Sequence, residues 1–292
     1  MRLVTFSEKQ QNNLRAGVLE EQNGRSLIVD LGNNKLGLPT TMRPLLEHLN
    51  GDFRPLENAV RGGSSLARIA LEDAILGPVV PDPQKIVCIG LNYRDHAHET
   101  KLAIPEVPTV FAKYRNTLIG QGSAILMSAA SSQVDYEAEL AFIIGRRAKG
   151  VSKSDALSYV AGYTIFNDVS ARDYQLRTSQ WTLGKSFDTF GPLGPALVTA
   201  DEIPNPQTLG IKLRIGDEVL QDSNTSEMIF DVATLIAHLS SAMTLEPGDV
   251  VATGTPAGVG FTRKPPRYLH SGDVVEVEID QLGKLRNPVR MG

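Results

Sequence analysis

Short apolar runs separated by turn residues dominate the chain from about residue 80 onward. They occur at residues 85–91, 109–113, 136–144, 162–167, 195–199, 210–215, 249–253 and 274–279. Runs of this length, bounded by Gly, Pro, Asn or Asp, are typical of β-strands joined by turns. So many short strands predict a mostly β roll or barrel with a few helices, which is an α+β fold.

Two later segments have helical features. Residues 152–160 begin with Ser152 and Asp155, which are spaced as in a capping box. The second segment begins at Asp231, a residue type that caps helix N-termini. It continues with the apolar stripe Val232, Leu235, Ile236, Leu239 and Met243, as expected of a helix with one buried face. We therefore predict a helix in each segment.

The first 75 residues have a different pattern from the rest. Residues 16–19 and 26–31 predict two short strands around an Asn23-Gly24 turn. Residues 42–49 and 56–60 have helical spacing, and three prolines within residues 78–83 are typical of a boundary. The sequence thus predicts a small α+β N-terminal domain at residues 1–75 and a larger domain at residues 80–292.

Composition narrows the class of protein and its compartment. The net charge is -4 and the pI is about 5.8, so neither nucleic acid nor an anionic membrane is an expected partner. Cys88 is the only cysteine, which excludes an internal disulfide and fits a reducing compartment. No signal peptide or membrane-spanning run is recognisable. We therefore predict a cytoplasmic location.

Three acidic residues stand near the ends of neighbouring predicted strands: Glu137, Glu139 and Asp168. Residues two apart on a strand share a face, so Glu137 and Glu139 would repel each other beside an apolar core. All-oxygen ligands suit Mg²⁺, Mn²⁺ or Ca²⁺ better than Zn²⁺. The trio is a candidate metal site. The alternative is a solvated strand face with Asp168 capping a helix.

Further candidate groups flank the trio. In a helix, His96 and Glu99 would stand one turn apart, and a carboxylate beside an imidazole makes a better general base. The polar stretch after Glu99 could form a lid. The alternative for this pair is an exposed polar helix. Arg172, Gln175 and Lys185 follow Asp168, and the two cations could bind a carboxylate or an enolate. The alternative is a structural ion pair between Asp168 and Arg172.

A glycine-rich segment at residues 253–260 follows a predicted strand. Its backbone N–H groups could bind an anion, although it lacks the residues of a nucleotide-phosphate loop. The alternative is a turn that closes a sheet edge. Cys88 lies in an apolar run and is expected to be a core residue rather than a nucleophile.

Five separated blocks, in this order, resemble the fumarylacetoacetate hydrolase family. They are Lys85-Ile-Val-Cys-Ile-Gly-Leu-Asn-Tyr-Arg-Asp-His96 with Glu99, Asp135-Tyr-Glu-Ala-Glu139, Asn167-Asp-Val-Ser-Ala-Arg-Asp173, Leu183-Gly-Lys-Ser-Phe187 and Gly248-Asp-Val-Val-Ala-Thr-Gly-Thr-Pro256. The runs Arg263-Lys-Pro-Pro266 and Phe187-Asp-Thr-Phe-Gly-Pro-Leu-Gly-Pro195 are most similar to the branch of fumarylacetoacetate hydrolase domain-containing protein 2.

The resemblance implies the family's β-roll, commonly as a homodimer. It implies that Glu137, Glu139 and Asp168 hold Mg²⁺ or Mn²⁺. It further implies that His96 and Glu99 activate water on a lid, and that substrate contacts come from Arg172, Gln175, Lys185 and Thr255. Acylpyruvate-cleaving relatives often carry a basic residue before the Asn-Tyr pair, where this chain has Leu91.

The leading hypothesis is hydrolysis of a carbon–carbon bond in a 1,3-dicarbonyl 2-oxo acid, such as an acylpyruvate or a fumarylacetoacetate-like compound. In it His96, oriented by Glu99, activates water, and the metal and Lys185 stabilise the departing enolate. One alternative, favoured by Leu91, is an oxaloacetate keto–enol tautomerase or decarboxylase. A third is an isomerase of the 2-hydroxyhepta-2,4-diene-1,7-dioate type. A fourth is a non-catalytic protein that binds a small molecule.

Overall fold

The computed structural model describes residues 1–9, 11, 13–32, 36–62 and 66–292. Its strands are β1 (Arg2–Glu8), β2 (Arg15–Gln22), β3 (Arg25–Asp30), β4 (Arg68–Ala70), β5 (Ala74–Leu76), β6 (Ile86–Gly90), β7 (Thr109–Lys113), β8 (Leu118–Ile119), β9 (Ile125–Met127), β10 (Val134–Asp135), β11 (Ala138–Ile144), β12 (Val160–Asn167), β13 (Ser170–Ala171), β14 (Gly191–Thr199), β15 (Gly210–Ile215), β16 (Glu218–Asn224), β17 (Val250–Ala252), β18 (Val274–Ile279) and β19 (Gly283–Met291).

The helices are fewer and mostly short: α1 (Met42–Leu49), α2 (Arg54–Gly62), α3 (Arg94–Thr100), α4 (Arg172–Gln175), α5 (Thr182–Lys185) and α6 (Val232–Ala242). Helix α6 begins as predicted, because the Asp231 carboxylate accepts a hydrogen bond of 2.7 Å from the Thr234 N–H. Among the described residues, every helix is too short or too polar to cross a membrane. The mostly β, α+β architecture predicted from the sequence is confirmed.

The largest sheet has twelve strands, ten of which follow the order β4-β3-β2-β1-β14-β12-β11-β17-β6-β7. Strands β5 and β8 pair with β1 and β14 at its side. The N-terminal strands join this sheet through the antiparallel pairing of β1 with β14. The division into residues 1–75 and 80–292 stays a prediction, and the sheet runs across it.

Burial on both faces explains why the central strands are almost entirely apolar. On β11, Leu140 and Phe142 contribute to a core shared with the five-stranded sheet β16-β15-β18-β19-β9 and with α6. The alternate residues Ala141 and Ile143 contribute to a second core, which also contains apolar residues of α1. Because side chains alternate across a strand, this arrangement fixes the register of β11. Cys88 is a buried core residue, as expected.

The helix predicted at residues 152–160 is wrong. The Ser152 hydroxyl does bond the Asp155 carboxylate at 2.8 Å, but only a short 3₁₀ turn follows, at Ala156–Tyr159. Val160 already pairs with Ile144 as the first residue of β12. The pairing of β12 with β11, which begins at Val160, therefore ends the helical turn.

The strand predicted at residues 136–144 is interrupted. Strand β10 ends at Asp135 and β11 begins at Ala138, so Glu137 lies in the gap between them. The Glu137 N–H donates to the side chain of Asn167 at 3.1 Å, and its carbonyl accepts from the Asp168 N–H at 2.9 Å. Local bonding to the end of β12 thus replaces a regular ladder at this point.

Candidate active site

The three predicted acidic ligands meet where β11 begins and β12 ends. The two strands are antiparallel, and Ala138 lies opposite Asn167. Glu137, Glu139 and Asp168 flank this pair of residues and are all buried. One carboxylate oxygen from each lies within 4.8 Å of the others. Antiparallel pairing therefore brings together residues that are about thirty positions apart in the sequence.

Two buried lysines neutralise part of this acidic cluster. Lys185 Nζ lies 2.6 Å from Glu137 Oε2 and 2.7 Å from Asp168 Oδ2. Lys113 Nζ lies 2.5 Å from Asp168 Oδ1 and 3.0 Å from the Val169 carbonyl oxygen. Burial lowers the pKa of Lys185, but the attraction of Asp168 and Glu137 outweighs it and the net pKa is raised. Lys185 is therefore a fixed ammonium group.

Glu139 is the carboxylate that lacks a comparable partner among the described residues. It is 1% exposed, and its hydrogen bond comes from the Gly254 N–H at 2.9 Å. Burial raises the pKa of Glu139 well above its usual range, and Asp168 and Glu137 raise it further. Buried charge without compensation is costly. A hard divalent cation fits this set of three carboxylates, because it would supply positive charge beside Glu139.

The ion pair between Asp168 and Arg172, which was the alternative to a ligand-binding role, is not formed among the described residues. Arg172 instead contacts Asp135, with Nε 2.9 Å from Oδ2, and Glu137, with Nη2 2.7 Å from Oε1. The pairing of β10 with β13 is the cause, since it sets Val134 and Asp135 beside Ala171 and Ser170, immediately before Arg172. The two neighbouring carboxylates outweigh burial and raise the pKa of the guanidinium.

Further contacts hold the guanidinium of Arg172 in place. Nη1 donates to Gln175 Oε1 at 2.9 Å, and the guanidinium lies 4.4 Å above the centre of the Phe261 ring. Nη2 is buried and lies beside Glu137 Oε1, its one charged partner among the described residues. We therefore treat the contact with Glu137 as an ion pair.

His96 and Glu99 make the predicted contact within α3. The distance from His96 Nδ1 to Glu99 Oε2 is 3.1 Å. The other oxygen of Glu99 accepts from the Gly258 N–H and the Thr262 hydroxyl, both at 2.9 Å. Burial raises the pKa of Glu99, but the hydrogen bonds from His96, Thr262 and Gly258 outweigh it and the net pKa is lowered. A charged Glu99 keeps the proton of His96 on Nδ1 and leaves Nε2 as a base.

The glycine-rich segment binds anions, but these anions are the chain's own carboxylates. The N–H groups of Gly254, Gly258 and Gly260 bond Glu139, Glu99 and Asp135 respectively. Gly254 and Gly258 have positive φ angles of 97° and 104°, which favour glycine. The segment therefore connects Glu139 on β11, Glu99 on α3 and Asp135, the residue that Arg172 contacts.

A cavity of about 270 Å³ joins these groups. Seven of the predicted site residues line it: His96, Glu137, Glu139, Arg172, Gln175, Lys185 and Thr255. Asp168 and Glu99 contact lining residues from behind. The remaining wall is largely apolar and includes Leu91, Leu102, Phe111, Leu176 and Trp181. Three larger clefts, two of about 660 Å³ and one of about 360 Å³, are lined mainly by residues outside this cluster, so we assign the site to the smaller cavity.

Sequence reasoning missed Lys113, Asp135 and Gln221. A lysine at the end of the apolar run 109–113 was a usable signal, because a buried lysine needs a carboxylate partner. Asp135 begins the block Asp135-Tyr-Glu-Ala-Glu139, but the sequence alone assigned it no role. In the structure it accepts hydrogen bonds from Arg172 and from the N–H groups of Gly260 and Phe261. Gln221 lies between Leu220 and Asp222 on β16, and nothing in its local sequence distinguishes it.

Gly184 sets the distance between the two short helices that carry Arg172, Gln175 and Lys185. A Cβ at this position would lie 2.4 Å from Gln175 N and 2.6 Å from Gln175 Cα. We expect Gly184→Ala to lower the free energy of unfolding by about 1–3 kcal/mol, as overpacking does. Displacement of Lys185 should also lower turnover by about a hundredfold.

Thermal melting and an activity assay of the Gly184→Ala variant check this expectation. Gly62→Ala is the control, since among the described residues no atom outside its own helix backbone and chain neighbours lies within 4 Å of the added Cβ. If Gly184→Ala melts and reacts like Gly62→Ala, close packing at Gly184 does not position the site.

A family model described as "Fumarylacetoacetate (FAA) hydrolase C-terminal" matches residues 85–290. The chain belongs to the fumarylacetoacetate hydrolase family.

Individual relatives cover nearly the whole chain. The oxaloacetate tautomerase fahd2 of Xenopus laevis, whose name gives it as mitochondrial, is 45% identical over 99% of this chain and 90% of its own length. A fumarylacetoacetate hydrolase from Exiguobacterium antarcticum has a TM-score of 0.82 at 35% identity, with 100% of both chains covered. A maleylpyruvate hydrolase from Sphingobium sp. SYK-6, solved with manganese(II) and pyruvate, has a TM-score of 0.81 at 33% identity, also with 100% of both chains covered. This chain is therefore similar to enzymes of more than one reaction type.

Proposed function

We propose that the chain catalyses the keto–enol tautomerisation of oxaloacetate with the help of a divalent metal. The observation that carries this proposal is a small cavity in which a His96–Glu99 pair faces three carboxylates and a fixed ammonium group. Its volume of about 270 Å³ lies near the lower end of ligand sites, which span roughly 300–1,000 Å³. A four-carbon acid suits this size better than a bulky acylpyruvate. The Xenopus laevis relative's name supports the same reaction.

In the proposed reaction, one proton moves from C3 of the substrate to the oxygen at C2. His96 Nε2 takes the proton from C3, and the electron pair of that bond becomes the C2–C3 double bond. The π electrons of the C2 carbonyl move to its oxygen, which takes this proton back from His96 and becomes the enol hydroxyl, so that His96 ends as the neutral imidazole. Glu99 stabilises the imidazolium that forms in between.

The cationic side chains of the site stabilise the negative charge that develops. Two of the three N–H groups of Lys185 bond Glu137 and Asp168, and the third is free among the described residues to bond the oxygen at C2. The guanidinium of Arg172, which lines the cavity, would attract a carboxylate of the substrate. A Mg²⁺ or Mn²⁺ ion held by Glu137, Glu139 and Asp168 would supply further positive charge that favours the enolate.

Hydrolysis of a carbon–carbon bond is the second candidate. The same His96–Glu99 pair could deprotonate water, and the likeness to the maleylpyruvate hydrolase of Sphingobium sp. SYK-6 favours this reaction. Decarboxylation of oxaloacetate and isomerisation of an unsaturated hydroxy-dioate need the same enolate chemistry.

Homodimer formation and a cytoplasmic location also stay proposals. Sedimentation would test the first and cell fractionation the second.

Assays of the purified protein on oxaloacetate and on acylpyruvates distinguish these reactions. Each assay is run with Mg²⁺, with Mn²⁺ and with excess chelator. We expect faster decay of oxaloacetate enol absorbance with metal, little pyruvate release and slow cleavage of acylpyruvates. The chelator should remove the effect. Rapid acylpyruvate cleavage without enol decay would support hydrolysis instead. If none of the substrates responds to added metal, the proposed metal chemistry is wrong.

A further inference from the structure

Gln221 contacts the active site from the second sheet. It lies on β16 and is 1% exposed. Its Oε1 accepts from the N–H of Ala138, the residue between Glu137 and Glu139, at 2.9 Å. Its Nε2 lies 2.8 Å from Thr255 Oγ1 and 2.9 Å from the Pro256 carbonyl oxygen. This one amide therefore joins the metal-site strand to the wall of the cavity.

The neighbours of Gln221 fix which way its amide points. The Ala138 N–H can only donate, so it must face the amide oxygen. The Pro256 carbonyl can only accept, so it must face the amide nitrogen. The same nitrogen then donates to Thr255, and Thr255 Oγ1 is the acceptor of that bond. An amide turned by 180° would leave buried polar groups unpaired, which is costly.

This orientation decides what the Thr255 hydroxyl can do. Because Oγ1 accepts a hydrogen bond from the Gln221 N–H, the hydroxyl's own proton must point elsewhere. No other acceptor for it is found among the described residues, and Thr255 lines the cavity with His96 and Glu139. The free direction of the hydroxyl is therefore toward a ligand.

We propose that Gln221 is a positioning residue that makes Thr255 a hydrogen-bond donor into the cavity. The ligand atom opposite Thr255 is then an acceptor, namely a carboxylate or enolate oxygen of an acidic substrate. The proposal rests on the proposed function, because it assigns one contact of the 2-oxo acid. Gln221 itself does not touch the ligand.

Calorimetric titration with oxalate, a stable mimic of an enolised 2-oxo acid, tests the proposal in the presence of Mg²⁺. We expect Thr255→Val to weaken oxalate binding by about 10- to 100-fold, the range for a lost hydrogen bond to a charged group. Thr255→Ser keeps the hydroxyl and should bind within about threefold of the wild type. If Val and Ser at this position bind oxalate equally well, Thr255 is not a donor and the proposal is overturned.

Gln221→Glu separates positioning from a general structural role. Its carboxylate can still accept from Ala138, but it would accept from Thr255 as well and turn the hydroxyl away from the cavity. We expect it to weaken oxalate binding about as much as Thr255→Val does, and to add less than about a twofold change to the Thr255→Val variant. An equal loss in both backgrounds indicates a structural role and overturns the proposal. If Gln221→Glu does not fold, Gln221→Met takes its place: it also removes the N–H that bonds Thr255, and we expect it to weaken oxalate binding in the wild type but not in the Thr255→Val variant.

The proposed function can fail separately from this inference. If the wild-type protein with Mg²⁺ does not bind oxalate at all, the proposed function fails. If the wild type binds oxalate but Gln221→Glu binds it equally tightly, only the role of Gln221 fails. For the Thr255→Val variant, a rise in the KM for oxaloacetate with little change in kcat would further support a contact between Thr255 and a carboxylate of the bound substrate.

Discussion

Glu139→Gln is expected to abolish turnover and the stabilisation of the protein by divalent metal. The three carboxylates of the site are not equivalent. Glu137 and Asp168 each contact two buried cationic groups, whereas Glu139 has the Gly254 N–H. An amide at position 139 keeps the volume of the side chain but removes the charge that most needs a bound cation.

In the absence of metal, the same substitution should leave the thermal stability of the protein unchanged or raise it. With chelator present, it removes repulsion between buried carboxylates, so the variant should melt at the same temperature as the wild type or higher. With metal at a hundredfold excess over its Kd, the wild type should gain about 2.7 kcal/mol. For a chain of 292 residues this corresponds to about 4–5 °C in Tm. Glu139→Gln should gain almost nothing.

Melting curves with Mn²⁺ and with chelator, together with turnover, check this first prediction. Glu218→Gln is a matched control, because the Glu218 side chain is 60% exposed and is not one of the three carboxylates of the candidate site. An unchanged metal-dependent shift in the Glu139→Gln variant would rule out Glu139 as a ligand. Lost stability in chelator would mean that its charge stabilises the fold.

His96→Asn is expected to lower kcat by about 10²–10⁴-fold, the usual contribution of a general base. Asparagine can still face Glu99 but offers no basic nitrogen to the substrate. Metal binding should be retained, since His96 is not one of the three carboxylates of the metal site. Oxalate affinity should change much less than kcat, because the base acts in the transition state.

The same helix supplies the control for this second prediction. His98 lies two residues further along α3 and is exposed, so His98→Asn should keep nearly full activity. Parallel kinetics of the two variants check the assignment. Equal losses in both would point to a general effect on α3, and no loss in either would remove His96 as the base.

Local sequence patterns sufficed for elements whose neighbours agree with them. Thr109–Lys113, Gly210–Ile215 and Val274–Ile279 have the predicted bounds, since each combines apolar residues with flanking turn residues. The pattern failed at residues 152–160, where a good capping pair was followed by too few free residues before β12. Strand pairing in the sheet outweighed local preference there.

The sequence by itself predicted the class of fold, the acidic trio and the His96–Glu99 pair. These residues lie close together in the sequence or belong to the blocks that resemble the fumarylacetoacetate hydrolase family. The tertiary structure alone decided which charges neutralise which carboxylates. Lys113, Asp135 and Gln221 reach the site from β7, β10 and β16, three elements far apart in the chain. Hydrogen bonds and ion pairs act over about 3 Å in space. Local sequence spacing therefore cannot report them until the sheets have brought those strands together.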